Sequence, residues 1–289
     1  MTCLITGAAG FIGSHLAGRL LAEGHKVIVV DDLSSGYEDN IPEGADFLQL
    51  NVLSTSAYQH LLQEVDVVFH NAASKKNICL IDPEYDLDVN AKGTLLLLQA
   101  CKEAGVKKFV HASTGSVYGE VDGVITENSP YNPVSYYGVS KLAGERYVNL
   151  FSRWINSTIL RYFHVYGSRQ ESDPRTGGVV AVFKRQIAEG GPLTIHGSGR
   201  QKRVFTHVDD VVEANIRAWE YTASEGRIYN CASSNQVSVM GLAGTLIGES
   251  KKNTIIRYDP PLEGDIYNFK LDNSRIKREL NMEFKAFCP

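Results

Sequence analysis

Leu4-Ile5-Thr6-Gly7-Ala8-Ala9-Gly10-Phe11-Ile12-Gly13 runs from a short apolar stretch straight into a turn punctuated by three glycines, and this passage decides the fold. It predicts a strand, a sharp bend and the opening of a helix. Gly7 permits the bend, Gly10 lets the backbone approach phosphate oxygens, and Gly13 allows helix to pack closely on strand. The amides of a helix start face an anion favourably, so the turn is built to hold a pyrophosphate. Its spacing is G-x-x-G-x-x-G rather than G-x-G-x-x-G, and the chain has 26 glycines, so context must support the reading. That context is the next apolar run, Val27-Ile28-Val29-Val30, which ends in Asp31-Asp32. A second strand presents a carboxylate to the adenosine ribose of a dinucleotide at this distance downstream.

Composition narrows the class. A chain of 289 residues with 43% apolar and 21% charged content can bury a large core as one large domain or two modest ones. A net charge of −4 argues against a nucleic-acid surface, which needs clustered Lys and Arg, and Lys75-Lys76 and Lys107-Lys108 are expected to be solvated. The five cysteines are scattered without a C-x-x-C pair, which supports neither a disulfide framework nor a zinc site. Reduced thiols in a cytoplasm fit this usage. The sequence opens on a strand without the basic region and apolar core of a signal peptide, and no run approaches the roughly 18 apolar residues of a membrane span, so neither export nor membrane insertion is expected.

Along the first two-thirds, Leu4-Ile5, Val27 to Val30, Val65 to Phe69, Phe109-Val110 and Ile159-Leu160 read as strands. Helices are expected between them at Ile12 to Ala22, Asn90 to Ala104 and Tyr136 to Phe151. Such alternation predicts an α/β protein with a doubly wound parallel sheet. After Tyr166 the texture becomes rich in Gly, Pro and Arg, with a further helix over Val208 to Tyr221. The expected division is a nucleotide-binding domain over 1–165, to which 204–230 returns, and a smaller interleaved substrate domain over 166–203 and 231–289.

Tyr137-Gly138-Val139-Ser140-Lys141 places a phenol and an ammonium on one helix face. A tyrosine of ordinary pKa near 10 is a poor base at pH 7, but a nearby lysine charge, with an oxidised nicotinamide, favours the phenolate. Tyr137 then removes a proton from a substrate hydroxyl while the carbon-bound hydrogen leaves as hydride, and Lys141 bonds the nicotinamide ribose. Upstream, Lys108 to Ala112 runs into Ser113-Thr114-Gly115-Ser116-Val117-Tyr118-Gly119, a hydroxyl-rich segment at the C-terminal end of a strand. Ligands of doubly wound folds bind there, and one of its hydroxyls is placed to hold the substrate oxygen.

The glycine turn, Asp31, Phe69-His70-Asn71-Ala72-Ala73, Asp88-Val89-Asn90, Ser113 to Gly119, Tyr137 to Lys141 and Arg161-Tyr162-Phe163-His164-Val165-Tyr166-Gly167 together resemble the extended short-chain dehydrogenase/reductase family. Within it the nearest look is to NAD-dependent nucleotide-sugar epimerases and dehydratases. The resemblance implies a Rossmann-type fold and a homodimer formed through helices. It assigns Tyr137 as base, Lys141 as its partner and Thr114 as the assisting hydroxyl, with Ser113 and Ser116 as neighbouring candidates. It also implies that Gly7, Gly10, Phe11, Ile12, Gly13, Asp31, Asp32, Asn51, Val52, Ala72, Ala73, Asn90, Tyr162 and His164 line the NAD site. Asp31 would accept both ribose hydroxyls and repel a 2′-phosphate, which favours NAD over NADP. The family commonly carries Asp where this chain has Asn51-Val52.

The family's 4,6-dehydratases resemble a version of this segment with Asp-Glu after the threonine, and its uronic-acid decarboxylases one with Ser-Thr-Ser-Glu. Gly115-Ser116 stand there instead, so the expected reaction is 4-epimerisation through a transient 4-keto sugar. Dehydratase, decarboxylase and keto-sugar reductase are the alternatives within the family, and an NAD-sensing protein without turnover the one outside it. For the nucleotide-sugar substrate the resemblance implies Thr114, Ser116, Tyr118, His164 and Arg203. A planar guanidinium at 203 suits phosphate. Three positions depart from the pattern: His164 replaces Asn, Val204 replaces Asp, and Leu262 replaces a second arginine. His70, His111 and His207 read as packing histidines, Arg169 and Arg175 as solvent-facing, and Asp209-Asp210 as a helix start rather than a metal site.

Overall fold

The computed structural model describes residues 1–74, 78–174, 177–234, 236–261, 267 and 270–289. Lys75-Lys76, Arg175 and Leu262, singled out above, lie outside the described residues. The strands are β1 (Thr2–Thr6), β2 (Lys26–Asp31), β3 (Asp46–Gln49), β4 (Val67–His70), β5 (Lys108–Thr114) and β6 (Asn156–Tyr162). They continue with β7 (Val165–Tyr166), β8 (Leu193–His196), β9 (Lys202–Val204), β10 (Thr206–His207), β11 (Arg227–Cys231), β12 (Gln236–Ser238) and β13 (Ile256–Asp259).

Seven strands form one sheet in the order β11-β6-β5-β4-β1-β2-β3. Every pairing in it is parallel. Strand alternation explains why both faces are apolar. From β1, Cys3 and Ile5 turn to one side, where Leu16 and Leu20 of helix Phe11–Ala22 and Val211 of helix Val208–Glu220 cover them. Leu4 turns to the other, against Leu97 and Cys101 of helix Thr94–Ala104 and Val148 of helix Tyr136–Phe151. Helices on both faces of a parallel sheet make the fold Rossmann-type, as the alternation predicts.

Both strands that the apolar runs do not reveal, β3 and β11, are the sheet edges. Their sequences, Asp-Phe-Leu-Gln and Arg-Ile-Tyr-Asn-Cys, are half polar because an edge strand meets solvent. The expected helix Asn90 to Ala104 also starts earlier. A short helix, Pro83–Leu87, runs through a π-helical turn, Asp88–Gly93, into Thr94–Ala104. Lys108 corrects another expectation: it is buried, its ammonium donates to the Ser224 hydroxyl at 2.7 Å, and desolvation pushes its pKa down to about 8.

Beyond the sheet, Phe183, Leu193, Ile195, Phe205 and Leu242 gather into a separate cluster. Its frame is a set of two-stranded ribbons, β7 with β10, β9 with β12 and β8 with β13. Among the described residues no helix is long and apolar enough to cross a membrane.

His70 and His111 sit side by side on β4 and β5, fully buried, with ring centroids 5.3 Å apart. His70 is held between the hydroxyls of Thr6, at 2.7 Å, and Thr94, at 2.9 Å, and burial drives its pKa from 6.5 to about 3. Neither ring nitrogen of His111 has a hydrogen-bond partner among the described residues, and burial pushes its pKa down as well. The unfolded chain protonates these rings near pH 6.5 and the fold resists, so stability is kept above that pH and lost on acidification towards 3. His111→Phe removes an unsatisfied buried group. Urea unfolding should show a gain of about 1–2 kcal/mol at pH 7 and a shallower decline between pH 6.5 and 4.5.

Candidate active site

The C-terminal ends of the parallel strands open into a cleft of about 1190 Å³, larger than the ~300–1,000 Å³ typical of a single small-molecule site. One wall is the glycine turn. Gly7 has a left-handed φ of +72°, and its amide donates to the Val30 carbonyl at 2.9 Å. A Cβ on Gly7 would lie 2.6 Å from the Ala72 nitrogen, and one on Gly13 would lie 2.3 Å from the Gly7 carbonyl oxygen. Both positions therefore exclude any side chain. Gly10 caps helix Phe11–Ala22 without a side-chain hydrogen bond, so the first helical amides remain available to an anion.

Asp31 closes β2 at the cleft wall. Its carboxylate accepts from the amides of Ala9 and Leu33, each at 2.9 Å, which counter the upward push of burial on its pKa. The two donors leave lone pairs for further hydroxyl groups. Asp32 is engaged by Asn51, whose amide nitrogen donates to it at 2.6 Å. Asn51, Val52, Ala72, Ala73, Tyr162 and His164 all border the same cavity. The Tyr162 phenol exchanges hydrogen bonds with Asn215, and His164 adopts a positive φ of 35°, a conformation to which Asn and His are better suited than most residues.

On the facing wall, helix Tyr136–Phe151 begins at the Ser135 cap and presents Tyr137 and Lys141 to the cleft. Burial pushes the Tyr137 phenol up to about 12, with the Thr114 hydroxyl bond opposing and the charges of Asp86 and Cys79 adding to the rise. The Lys141 ammonium donates to the Ala112 carbonyl at 2.6 Å, and burial lowers its pKa to about 8. The lysine is thus anchored to β5.

Behind this pair lies a polar network in which only Asn90 was anticipated. Its Oδ1 accepts from the Ser74 amide at 3.0 Å, which orients the amide so that Nδ2 donates to Asp86 and Ser140, each at 3.0 Å. Ser140 donates in turn to Asp86 at 2.5 Å. Asp86 carried no sequence signal beyond lying four residues before Asn90, one helical turn away.

Other expected residues part company with the cleft. Tyr118 is fully buried, stacked on Arg161 and hydrogen-bonded to Asn230 at 2.7 Å, so it cannot face a sugar. Ser113 borders the cleft but its hydroxyl is committed to Glu145 at 2.5 Å. Ser116 receives the Thr114 hydroxyl proton at 3.2 Å. Arg203, on β9, lines the cleft and is buried; Arg169 also borders the cleft and is exposed, as expected. Thr194, His196, Arg257 and Asp259 were not singled out. They alternate along β8 and β13, which pair Thr194 with Arg257 and His196 with Asp259, and line the far end of the cleft. Their signal was the two-residue period of Leu193-Thr194-Ile195-His196, whose apolar members enter the core.

A glycine cradle at a helix start, a carboxylate at the end of the second strand and a Tyr-x-x-x-Lys pair opposite are the features of a dinucleotide-dependent enzyme. The model of the NAD dependent epimerase/dehydratase family matches residues 3–232, and the chain belongs to that family. A UDP-glucose 4-epimerase of Mycolicibacterium smegmatis is 37% identical over 98% of this chain and 93% of its own. A UDP-N-acetyl-alpha-D-glucosaminuronate decarboxylase of Bacillus cytotoxicus is 35% identical over 83% of this chain and 78% of its own. Among solved structures, the UDP-glucose 4-epimerase of Thermotoga maritima with UDP-glucose superposes with a TM-score of 0.95 at 35% identity, covering 99% of this chain and 94% of that one.

The cofactor of this family is NAD, and the cradle fits it. Gly13→Ala forces the turn to shift against the Gly7 carbonyl, so NAD affinity should fall at least about tenfold, or roughly 1.4 kcal/mol, with the circular dichroism spectrum retained. Isothermal titration of NAD into both proteins measures it.

Proposed function

We propose that this protein is an NAD-dependent 4-epimerase of UDP-sugars, with Tyr137 as base. The observation that carries the reading is the junction at Gly115. A Cβ there would lie 2.2 Å from Cε1 of Phe163, so the acidic side chain that the dehydratase pattern places after the threonine has no room. At the following position, where dehydratases and decarboxylases of the family carry Glu, stands Ser116, already bonded to Thr114. A site without those acids suits a reaction that needs only reversible oxidation at one carbon. Relatives named as 4-epimerases, matched over nearly the whole chain, support the same choice.

Bound NAD supplies the acceptor and later the donor of the hydride. This chain supplies the rest. Thr114 positions the sugar 4-hydroxyl, and Tyr137 takes its proton and returns it after the 4-keto sugar has turned over. Lys141, fixed to Ala112, holds the nicotinamide ribose. Arg203 engages the diphosphate, while Asp31 reads the adenosine ribose and disfavours a 2′-phosphate. In this reading residues 1–165 with 204–230 hold the cofactor, and 166–203 with 231–289 hold the sugar nucleotide. Tyr136, Val139 and Leu150, exposed on the helix that carries Tyr137, support pairing of two copies through that face.

The test is proton NMR of UDP-glucose, UDP-glucuronic acid and their N-acetyl counterparts in heavy water with trace NAD and no reductant. A 4-epimer that keeps its carbon-bound hydrogen is the expected product. A deoxy-keto sugar, or a pentose formed with loss of carbon dioxide, would overturn the reading. Tyr137→Phe should lower turnover by about 10²–10⁴-fold while NAD still binds.

A further inference from the structure

We propose that Asp86 is a positioning residue for Tyr137 and Lys141: its side chain, buried and bonded to Ser140 and Asn90, tethers the turn that carries them and places a carboxylate beside it. The inference rests on the reading of Tyr137 as the proton acceptor.

Asp86 is fully buried on the short helix Pro83–Leu87. One carboxylate oxygen accepts from Asn90 at 3.0 Å and the other from Ser140 at 2.5 Å. Asn90 Nδ2 can only donate, and it donates to Asp86 and to Ser140. An ionised Asp86 accepts at both oxygens; burial pushes its pKa up, and the Ser140 bond and the Lys141 charge oppose that push. Ser140 lies between Tyr137 and Lys141 on their helix and also contacts the Tyr137 carbonyl at 3.1 Å. A single hydroxyl thus joins the carboxylate to the backbone of the proposed base.

The groups around the pair separate into balanced and unbalanced charges. On their own helix Glu145 is neutralised by Arg161 of β6, with an N–O separation of 2.5 Å. His70 and His111, on β4 and β5, are held neutral by burial and by the Lys141 charge. Cys79 is a further titratable neighbour of the phenol. Asp86 acts on both members of the pair, adding to the rise that burial imposes on the phenol and, after Glu145, opposing the fall that burial imposes on the ammonium.

Asp86→Asn removes the charge and can keep the network, since the new amide donates to Ser140, which then turns its proton to the Tyr137 carbonyl. The readout is tyrosinate absorbance during an alkaline titration of the NAD-loaded protein. Because the chain has 14 tyrosines, each curve is taken as the difference from the same protein carrying Tyr137→Phe. Loss of the negative charge favours the phenolate, so the Tyr137 midpoint should move about one unit to lower pH. Midpoints that agree within about 0.3 units would overturn the electrostatic role. Ser140→Ala keeps the charge and cuts the tether. Faster amide exchange across 138–142 is expected, and unchanged protection there would overturn the positioning role. A shifted midpoint without turnover of any UDP-sugar would retire the epimerase reading and leave this one standing; turnover with an unmoved midpoint would do the reverse.

Discussion

The ion pair between Arg161 and Glu145 holds helix Tyr136–Phe151 against the sheet. Both side chains are essentially inaccessible to solvent, at 0% and 1%. The guanidinium meets the carboxylate through two nitrogens, at 2.8 and 2.5 Å, the forked geometry that makes arginine the cation of choice in a dry interior. Removing one partner of such a pair typically costs about 3–5 kcal/mol, because the other charge is stranded. Here it would also release geometry. Ser113 of β5 donates to the same carboxylate, and Arg161 reaches through Tyr118 to Asn230 of β11, whose amide donates to Glu127. One charge pair therefore fixes the helix of Tyr137 relative to β5, which carries Thr114, and relative to the β11 edge.

That anchorage explains which parts of the site were legible in the sequence. The glycine turn could be read because its requirement is steric and local: no side chain fits at Gly7 or Gly13, and the sequence shows none. Tyr137 and Lys141 were legible because helical spacing places them on one face. Tyr118 was misplaced for the opposite reason. Its position in the motif says that the phenol follows the strand, while its direction is set by Arg161 and Asn230, which lie far away in the chain. Lys108 misled in the same way, since a charged residue reads as solvated until a distant partner such as Ser224 is known. Asp86, Thr194 and Arg257 matter only through tertiary neighbours and left no motif to find.

The sheet was readable where it is buried on both faces and obscure at its margins. Strands β1, β2, β4, β5 and β6 are flanked on both sides within the sheet and carry continuous apolar runs. At the edges, β3 and β11 need fewer apolar residues, so composition alone does not separate them from loops. A comparable ambiguity hid the start of the helix before Asn90. The π-helical turn over Asp88–Gly93 shifts the phase of side chains and breaks the expected spacing. The irregularity lies at the residue whose amide must meet Ser74, Asp86 and Ser140 together, which is where such turns are commonly found.

The two ends of the cleft are built on different principles, and the difference bears on specificity. At the cofactor end, backbone atoms and glycines set the shape, so little can change without loss of the fold. At the far end, Thr194, His196, Arg257 and Asp259 project from a two-stranded ribbon whose opposite face, Leu193 and Ile195, is locked into the core. Alternation along the strands lets the cleft-facing residues change identity while their neighbours hold the register. Arg203 stands apart because it is buried, 6% exposed, with its guanidinium bonded to the Lys202 carbonyl at 2.9 Å. The end of the cleft at the glycine turn is thereby tied to a rigid half of the molecule, and its far end to a ribbon whose cleft-facing residues can vary without disturbing that half.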